Sequence, residues 1–137
     1  MLPVVVSLHH QPVLVVGAGK VAAAKIKLLV AEGAHVTVIA SEILEPVPEG
    51  VTVRHRPYEP GDLRGFRLVI AAVGIATVNH EIRREANERG VLLNVVDDPT
   101  LCDFFFTAVH RDNDVVISVS TQGAAPAPSL SIPGLTD

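Results

Sequence analysis

Apolar residues along the chain come in short blocks separated by turn formers, and their period changes from block to block. Val4–Ser7 is a short apolar stretch that ends at His9-His10, and Pro12–Val16 is a continuous apolar run followed at once by Gly17-Ala18-Gly19. Such a run bounded by turn residues predicts a strand buried on both faces. Lys20–Ala31 is rich in Ala, Leu and Lys with apolar residues at helical spacing, and Gly33 follows as a stop signal, so this segment predicts a helix. His35–Ala40 alternates β-branched residues and predicts a second strand, and Val51–His55 a third, with turn chemistry from Pro57 to Gly61. Leu68–Ala72 predicts a fourth buried strand, Val78–Arg89 a second helix stopped by Gly90, and Val91–Val96 a fifth strand ending in Asp97-Asp98-Pro99.

After Pro99 the pattern changes. Phe104–His110 and Val115–Ser120 are strand-like runs joined by Arg111-Asp112-Asn113-Asp114, which predicts a hairpin. From Gln122 onward, Pro126, Pro128 and Pro133 sit among small residues without periodicity, which predicts an extended or disordered tail. Strand–helix–strand alternation as far as Val96 predicts an α/β fold, a doubly wound parallel sheet of Rossmann-like type with a short C-terminal β-hairpin. The expected organisation is a dinucleotide-binding domain over 1–100, a hairpin appendage over 101–121 suited to dimer contact, and a flexible tail over 122–137.

Composition sharpens this picture in three places. The 48% hydrophobic content is high, yet no apolar run reaches the roughly 18 residues of a membrane helix, so no membrane partner is expected. The excess is Val and Ala, which suits buried parallel strands with helices packed closely on them. With no Trp and a formal charge of -4, nucleic acid is not an expected partner. A single cysteine, Cys102, excludes an internal disulfide, and the N-terminus lacks the basic region of a signal peptide, so a cytoplasmic location is expected.

The strongest local motif is Gly17-Ala18-Gly19-Lys20-Val21-Ala22, placed between a predicted strand and a predicted helix. Gly17 permits the tight turn, Gly19 lets backbone approach a pyrophosphate, and Ala22 allows close helix–strand packing. The helix start then offers free N–H groups and a positive dipole end to phosphate. The acidic residue that usually closes the second strand is absent; the strand ends Val38-Ile39-Ala40, and Ser41 or Glu42 would hold the adenosine ribose instead. No Arg or Lys lies between His35 and Val53 to accept a 2′-phosphate, which favours NAD over NADP.

Ligands in such sheets sit at the carboxyl ends of the strands, where small residues at 71–74 would leave room for the nicotinamide. Asp97 and Asp98 place carboxylates at the same edge, where one could accept the proton that accompanies hydride transfer. The plainer reading is a turn in which a carboxylate caps the following residues. His9-His10 and His55 show no ligand spacing, Cys102 with His110 is not a convincing pair, and no metal site is expected. His80, beside Asn79, is expected to cap a helix start, and Lys25, Lys27, Arg83, Arg84 and Arg89 to lie on solvated helix faces.

Three blocks are more specific than the glycine motif: Asn94-Val95-Val96-Asp97-Asp98-Pro99, Leu101-Cys102-Asp103-Phe104 and Ile117-Ser118-Val119-Ser120-Thr121. With Pro12–Ala22, Lys25, Gly33–Val38, Leu68–Ala72 and Val78-Asn79, they make the chain resemble the precorrin-2 dehydrogenase domain of siroheme synthases from Leu2 to about Gly123. The resemblance implies NAD-dependent oxidation of precorrin-2 to sirohydrochlorin, a tetrapyrrole substrate and homodimerisation. Some members also insert ferrous iron. It implies that Asp97 is the important acid, and that Gly17, Gly19, Lys20, Val21, Ser41 and Glu42 bind the cofactor. A cationic His110 beside Arg111 would suit a polycarboxylate substrate.

The chain differs from the family pattern at Ala24, at Val73-Gly74 where Thr-Asp is common, at Thr107, and at Gln122–Pro126. The family also continues into a helical region beyond the length of this chain. The alternative is therefore a non-catalytic or truncated NAD-binding module of the same family that needs a partner chain.

Overall fold

The computed structural model describes residues 1–120, so the expected flexible tail, with Thr121 and Gln122–Pro126, lies outside the described residues. Five parallel strands form one sheet in the order β3-β2-β1-β4-β5, with β1 at Pro12–Val16, β2 at His35–Ile39, β3 at Thr52–Arg54, β4 at Leu68–Ala71 and β5 at Leu92–Val95. Helix α1, Lys20–Ala31, connects β1 to β2, and helix α2, Ala76–Arg89, connects β4 to β5. The expected strand–helix alternation holds at these two crossovers but not at the other two. The β2–β3 and β3–β4 connections carry no helix. In the second of them, Leu63 is fully buried and joins the core cluster, with Tyr58 and Phe66 packed against it. A loop side chain there fills space that a crossover helix would otherwise cover.

Period-two alternation sorts the strand residues onto two faces. Leu14, Val16, Ile39, Val69, Ala71, Leu93 and Val95 form one buried cluster with Ile82 and Ala86 of α2. The alternate residues Val13, Val15, Val38 and Ile70 are equally buried, and α1 buries Ala22, Ile26 and Leu29. The small side chain of Ala22, 1% exposed, lets the helix lie close to the sheet. Helix α1 ends in a Schellman arrangement: Gly33, at φ 80°, donates its N–H to Val30, and Ala34 donates to Leu29. Gly90 closes α2 in the left-handed conformation at φ 68°.

Residues Pro3–Asp103 form one compact unit, and Met1–Leu2 group with the described residues from Phe104 to Ser120. Leu101, Cys102 and Asp103 fall in the first unit, where they are tied to α2 and β5. Within the second unit, β6 at Ala108–Asp112 and β7 at Val115–Val119 form an antiparallel pair with a two-residue turn, Asn113-Asp114. The strand expected from Phe104 starts only at Ala108; Phe104 and Phe106 instead make an edge contact, ring centres 5.8 Å apart. His110 pairs with Ile117 across the hairpin.

Candidate functional site

The sheet order reverses between β1 and β4, because the chain builds outward from β1 to β3 on one side and from β4 to β5 on the other. The carboxyl ends of β1 and β4 therefore flank the crevice in which open α/β sheets bind ligands. Gly17 forms the corner after β1. Its φ of 117° is unfavourable for any side chain, and a Cβ there would stand 2.7 Å from the carbonyl oxygen of Ala72. Its N–H bonds the Ile39 carbonyl at 2.8 Å, and Ala72 N–H bonds Val16 at 2.8 Å, so the corner is held between β2 and β4.

Gly19 differs from Gly17. Nothing lies within 4 Å of a Cβ built on it, so its lack of a side chain leaves open space before the α1 N-terminus. Gly19 is the N-cap residue and supplies no side-chain hydrogen bond, and the first turn holds no acidic residue. Lys20 and Val21 are exposed beside it. A helix start with uncapped amides, a positive dipole end, a neighbouring lysine and no steric obstruction fits a pyrophosphate. The fit to a dinucleotide cofactor therefore rests on the chain's own geometry.

The segment after β2 lies against this corner. Leu44 N–H donates to the Ala18 carbonyl at 3.1 Å, which brings 41–44 beside the glycine loop. Ser41 and Glu42 are exposed there. His55, which the sequence reading left without a role, donates Nε2–H to the Ser41 carbonyl at 2.8 Å. Across the crevice, Val73 packs against the core cluster and Gly74 is exposed at φ 69°. Of the 71–74 segment, Ala71 and Val73 thus serve packing, while Gly74 leaves the surface open.

The two aspartates after β5 have separate tasks. Asp98 accepts from Thr100 N–H at 3.2 Å and from Thr100 Oγ1–H at 2.5 Å, capping a single 3-10 turn at Pro99–Leu101. Asp97 is exposed, adopts φ 71°, and its carboxylate has no hydrogen bond or ion pair among the described residues. A non-glycine residue in the left-handed region is uncommon, although Asp tolerates it best, and such positions cluster at functional sites.

The Leu101–Asp103 block anchors this turn. Asp103 accepts from Leu93 N–H at 2.9 Å and from Arg83 at 2.9 Å, and Arg83 also donates to the Leu101 carbonyl at 2.8 Å. The Cys102 thiol lies 3.2 Å from both the N–H and the carbonyl of Val95, and burial pushes its pKa up. Arg83 therefore corrects the expectation of a solvated face, since its side chain is only 17% exposed.

Arg89 stays on the exposed face as expected, and from there it donates to Glu85 at 2.7 Å. Glu85 is 6% exposed and also accepts from Tyr58 Oη–H and from Gly61 and Leu63 N–H. Burial by itself would raise the Glu85 pKa, but these hydrogen bonds outweigh it and hold the carboxyl below its ordinary range. His80 is a further correction: α2 begins already at Ala76 with Ile75 at the N-cap and no side-chain cap, which leaves His80 exposed within the helix.

Three comparisons place this geometry among known proteins. A family model described as NAD(P)-binding matches residues 4–108. The siroheme synthase of Methylococcus capsulatus is 42% identical over 130 residues, covering 91% of this chain and 27% of its own length. That of Pseudomonas aeruginosa is 41% identical over 130 residues, covering 91% of this chain and 28% of its own. The chain thus spans about a quarter of these curated relatives. Among solved structures, the precorrin-2 dehydrogenase SirC superposes with a TM-score of 0.79 at 26% identity, covering 92% of this chain and 64% of SirC. A D-2-hydroxyisocaproate dehydrogenase shares the fold alone, with a TM-score of 0.54 at 23% identity.

Proposed function

The chain belongs to the NAD(P)-binding domain family of siroheme synthases and precorrin-2 dehydrogenases, and on that premise we propose that it oxidises precorrin-2 to sirohydrochlorin with NAD. The carrying observation is one edge of the sheet, which carries both the uncapped, unobstructed start of α1 and the exposed carboxylate of Asp97, without a partner among the described residues. Gly17 and Gly19 shape the pyrophosphate cradle, and the amides of Lys20 and Val21 with the Lys20 ammonium bind it. Ser41 and Glu42 take the adenosine ribose hydroxyls. Bound NAD supplies the hydride acceptor.

Removal of two hydrogens from precorrin-2 as a hydride and a proton requires a base for the proton. Asp97 takes that role, because its neighbour Asp98 is already engaged with Thr100 and cannot turn outward without uncapping its own turn. The turn is stiffened from behind by Cys102 and Asp103, so the Asp97 backbone is held while its side chain stays free. Ferrous iron insertion into the product belongs to the same reading as a second activity. So do a cytoplasmic location and a homodimer formed through the hairpin, where Val109, Val115 and Val116 are exposed.

A second reading, an NAD-binding module completed by another polypeptide, is favoured by the exposure of Asp97, over which no described residue closes. Anaerobic incubation of the purified chain with precorrin-2 and NAD, following NADH and the sirohydrochlorin spectrum, separates the two. Turnover supports the dehydrogenase. NAD binding without turnover supports the module. Repeating the assay with ferrous iron and recording the siroheme spectrum tests metal insertion.

A further inference from the structure

Three histidines gather at the edge of the sheet opposite the glycine loop. His9 and His10 lie just before β1, and His35 opens β2, so all three sit at the amino ends of these two strands. Backbone bonds fix them there: His10 N–H donates to the Gly33 carbonyl and His35 N–H to the Gln11 carbonyl, each at 2.9 Å. His10 adopts φ 60°, a left-handed conformation uncommon for a residue other than glycine. The two histidines that meet, His10 and His35, are 25 residues apart in the chain, so no local spacing reveals them.

His10 Nδ1 and His35 Nε2 stand 3.3 Å apart, with ring centres 5.2 Å apart and planes inclined at 67°. Two ring nitrogens at about 2.05 Å from one tetrahedral ion are themselves about 3.3 Å apart, and their ring centres, about 1.1 Å behind each nitrogen, about 5.2 Å. A square-planar ion would draw the same nitrogens to about 2.9 Å. Both separations therefore match tetrahedral ligation by the pair. His9 serves packing instead: its ring centre lies 3.8 Å from that of His10, and its Nδ1 fills the space that a Cβ on Gly33 would need, 2.5 Å away. Among the described residues no set of three or more His, Cys, Asp or Glu could hold an ion, so the pair acts with two protein ligands.

We propose that His10 and His35 form a two-histidine chelate for Zn²⁺, with water in the remaining positions. Without the ion, one proton lies between the two nitrogens as a hydrogen bond. Zinc takes its place when that proton moves to the other nitrogen of the same ring, so that both rings ligate as neutral imidazoles. His9, stacked on His10, limits the swing of that ring. The five residues of β1, about 16 Å of strand, separate this edge from the proposed cofactor site, so the chelate stands independently of that reading.

Isothermal titration of the metal-free full chain with zinc chloride tests this without substrate or cofactor. His35→Ala and His10→Asn, the latter chosen because Asn tolerates the left-handed conformation, should each weaken the tightest zinc site about tenfold or more. The double variant should be within about threefold of either single one, because one imidazole left alone no longer chelates. His80→Ala, which removes an exposed histidine elsewhere, should change the affinity less than about twofold. Zinc should raise the melting temperature of the unaltered chain and not that of the double variant. In the unaltered chain, the ring proton resonances of His10 and His35 should shift together as zinc is added, a readout that no substitution can disturb. Absence of zinc binding, affinity unchanged in His10→Asn and His35→Ala, an equal loss in His80→Ala, or shifts confined to other histidines would each overturn the chelate.

Discussion

The carbonyl oxygen of Ala72 occupies the space that a Cβ on Gly17 would need, 2.7 Å away, so the end of β4 and the corner after β1 exclude any side chain between them. Gly19, two residues on, meets nothing within 4 Å. Two glycines of one motif therefore answer to different constraints, the first internal to the fold and the second directed at a ligand.

That difference yields the first prediction. Gly17→Ala should lower stability by roughly 2–4 kcal/mol, because a positive φ and a backbone clash add together. Gly19→Ala should leave the melting temperature within a few degrees yet weaken NAD about tenfold or more, through obstruction of the pyrophosphate. Thermal melts and NAD titration on the two variants check both. Equal loss of stability in the two would contradict the assignment of Gly19 to a ligand.

The paired aspartates give the second. Asp97→Asn should abolish oxidation of precorrin-2 while leaving NAD affinity within a few fold and stability unchanged, since its carboxylate holds no partner among the described residues. Asp98→Ala should cost about 1 kcal/mol of stability, the usual value of an N-cap. Full turnover by Asp97→Asn would refute the proton-transfer role.

Arg83 and Asp103 give the third. Their contact at 2.9 Å is partly buried, and Asp103 also accepts from the backbone of β5. Asp103→Ala strands the Leu93 N–H and removes one bond of an Arg83 arm that keeps Asn87, and should lower stability by about 1–3 kcal/mol. A double-mutant cycle with Arg83→Ala should show coupling, because the two residues share one network. Additive losses would argue that each acts alone.

Acid stability gives the fourth. Glu85 and Asp62 are both held below the ordinary carboxyl range in the folded chain. A depressed folded value contributes stability that is fully present above the unfolded pKa, about 4.3 for Glu and 3.9 for Asp. That stability is lost as pH falls through the folded values. The midpoint of denaturant unfolding should therefore be level near neutrality and drop below about pH 4. Glu85→Gln should flatten part of that drop while lowering stability at pH 7 by roughly 2–4 kcal/mol, since an amide oxygen cannot replace two carboxylate oxygens that serve four donors. An unchanged acid profile in that variant would remove Glu85 from the account.

Much of the fold was legible in the residues themselves. Continuous apolar runs marked β1 and β4, helical spacing and terminal glycines bounded α1 and α2, and the Gly17–Ala22 motif lay where strand gave way to helix. Each of these depends on local chemistry: backbone sterics, burial on one or two faces, and the conformational freedom of glycine. The block from Asn94 to Asp103 was also visible as a sequence feature, but its parts could not be told apart.

Tertiary packing decided what depends on contacts between distant segments. It gave Asp98 to a cap and left Asp97 without a partner among the described residues, drew Arg83 from an expected solvated surface into a partly buried network, and set Leu63 in the β3–β4 connection that lacks a helix. It also brought Arg54 and His55 to the end of β2. No periodicity within one segment reports a neighbour reached through a crossover, because strand order is fixed by how buried faces pack and not by the residues that lie between them.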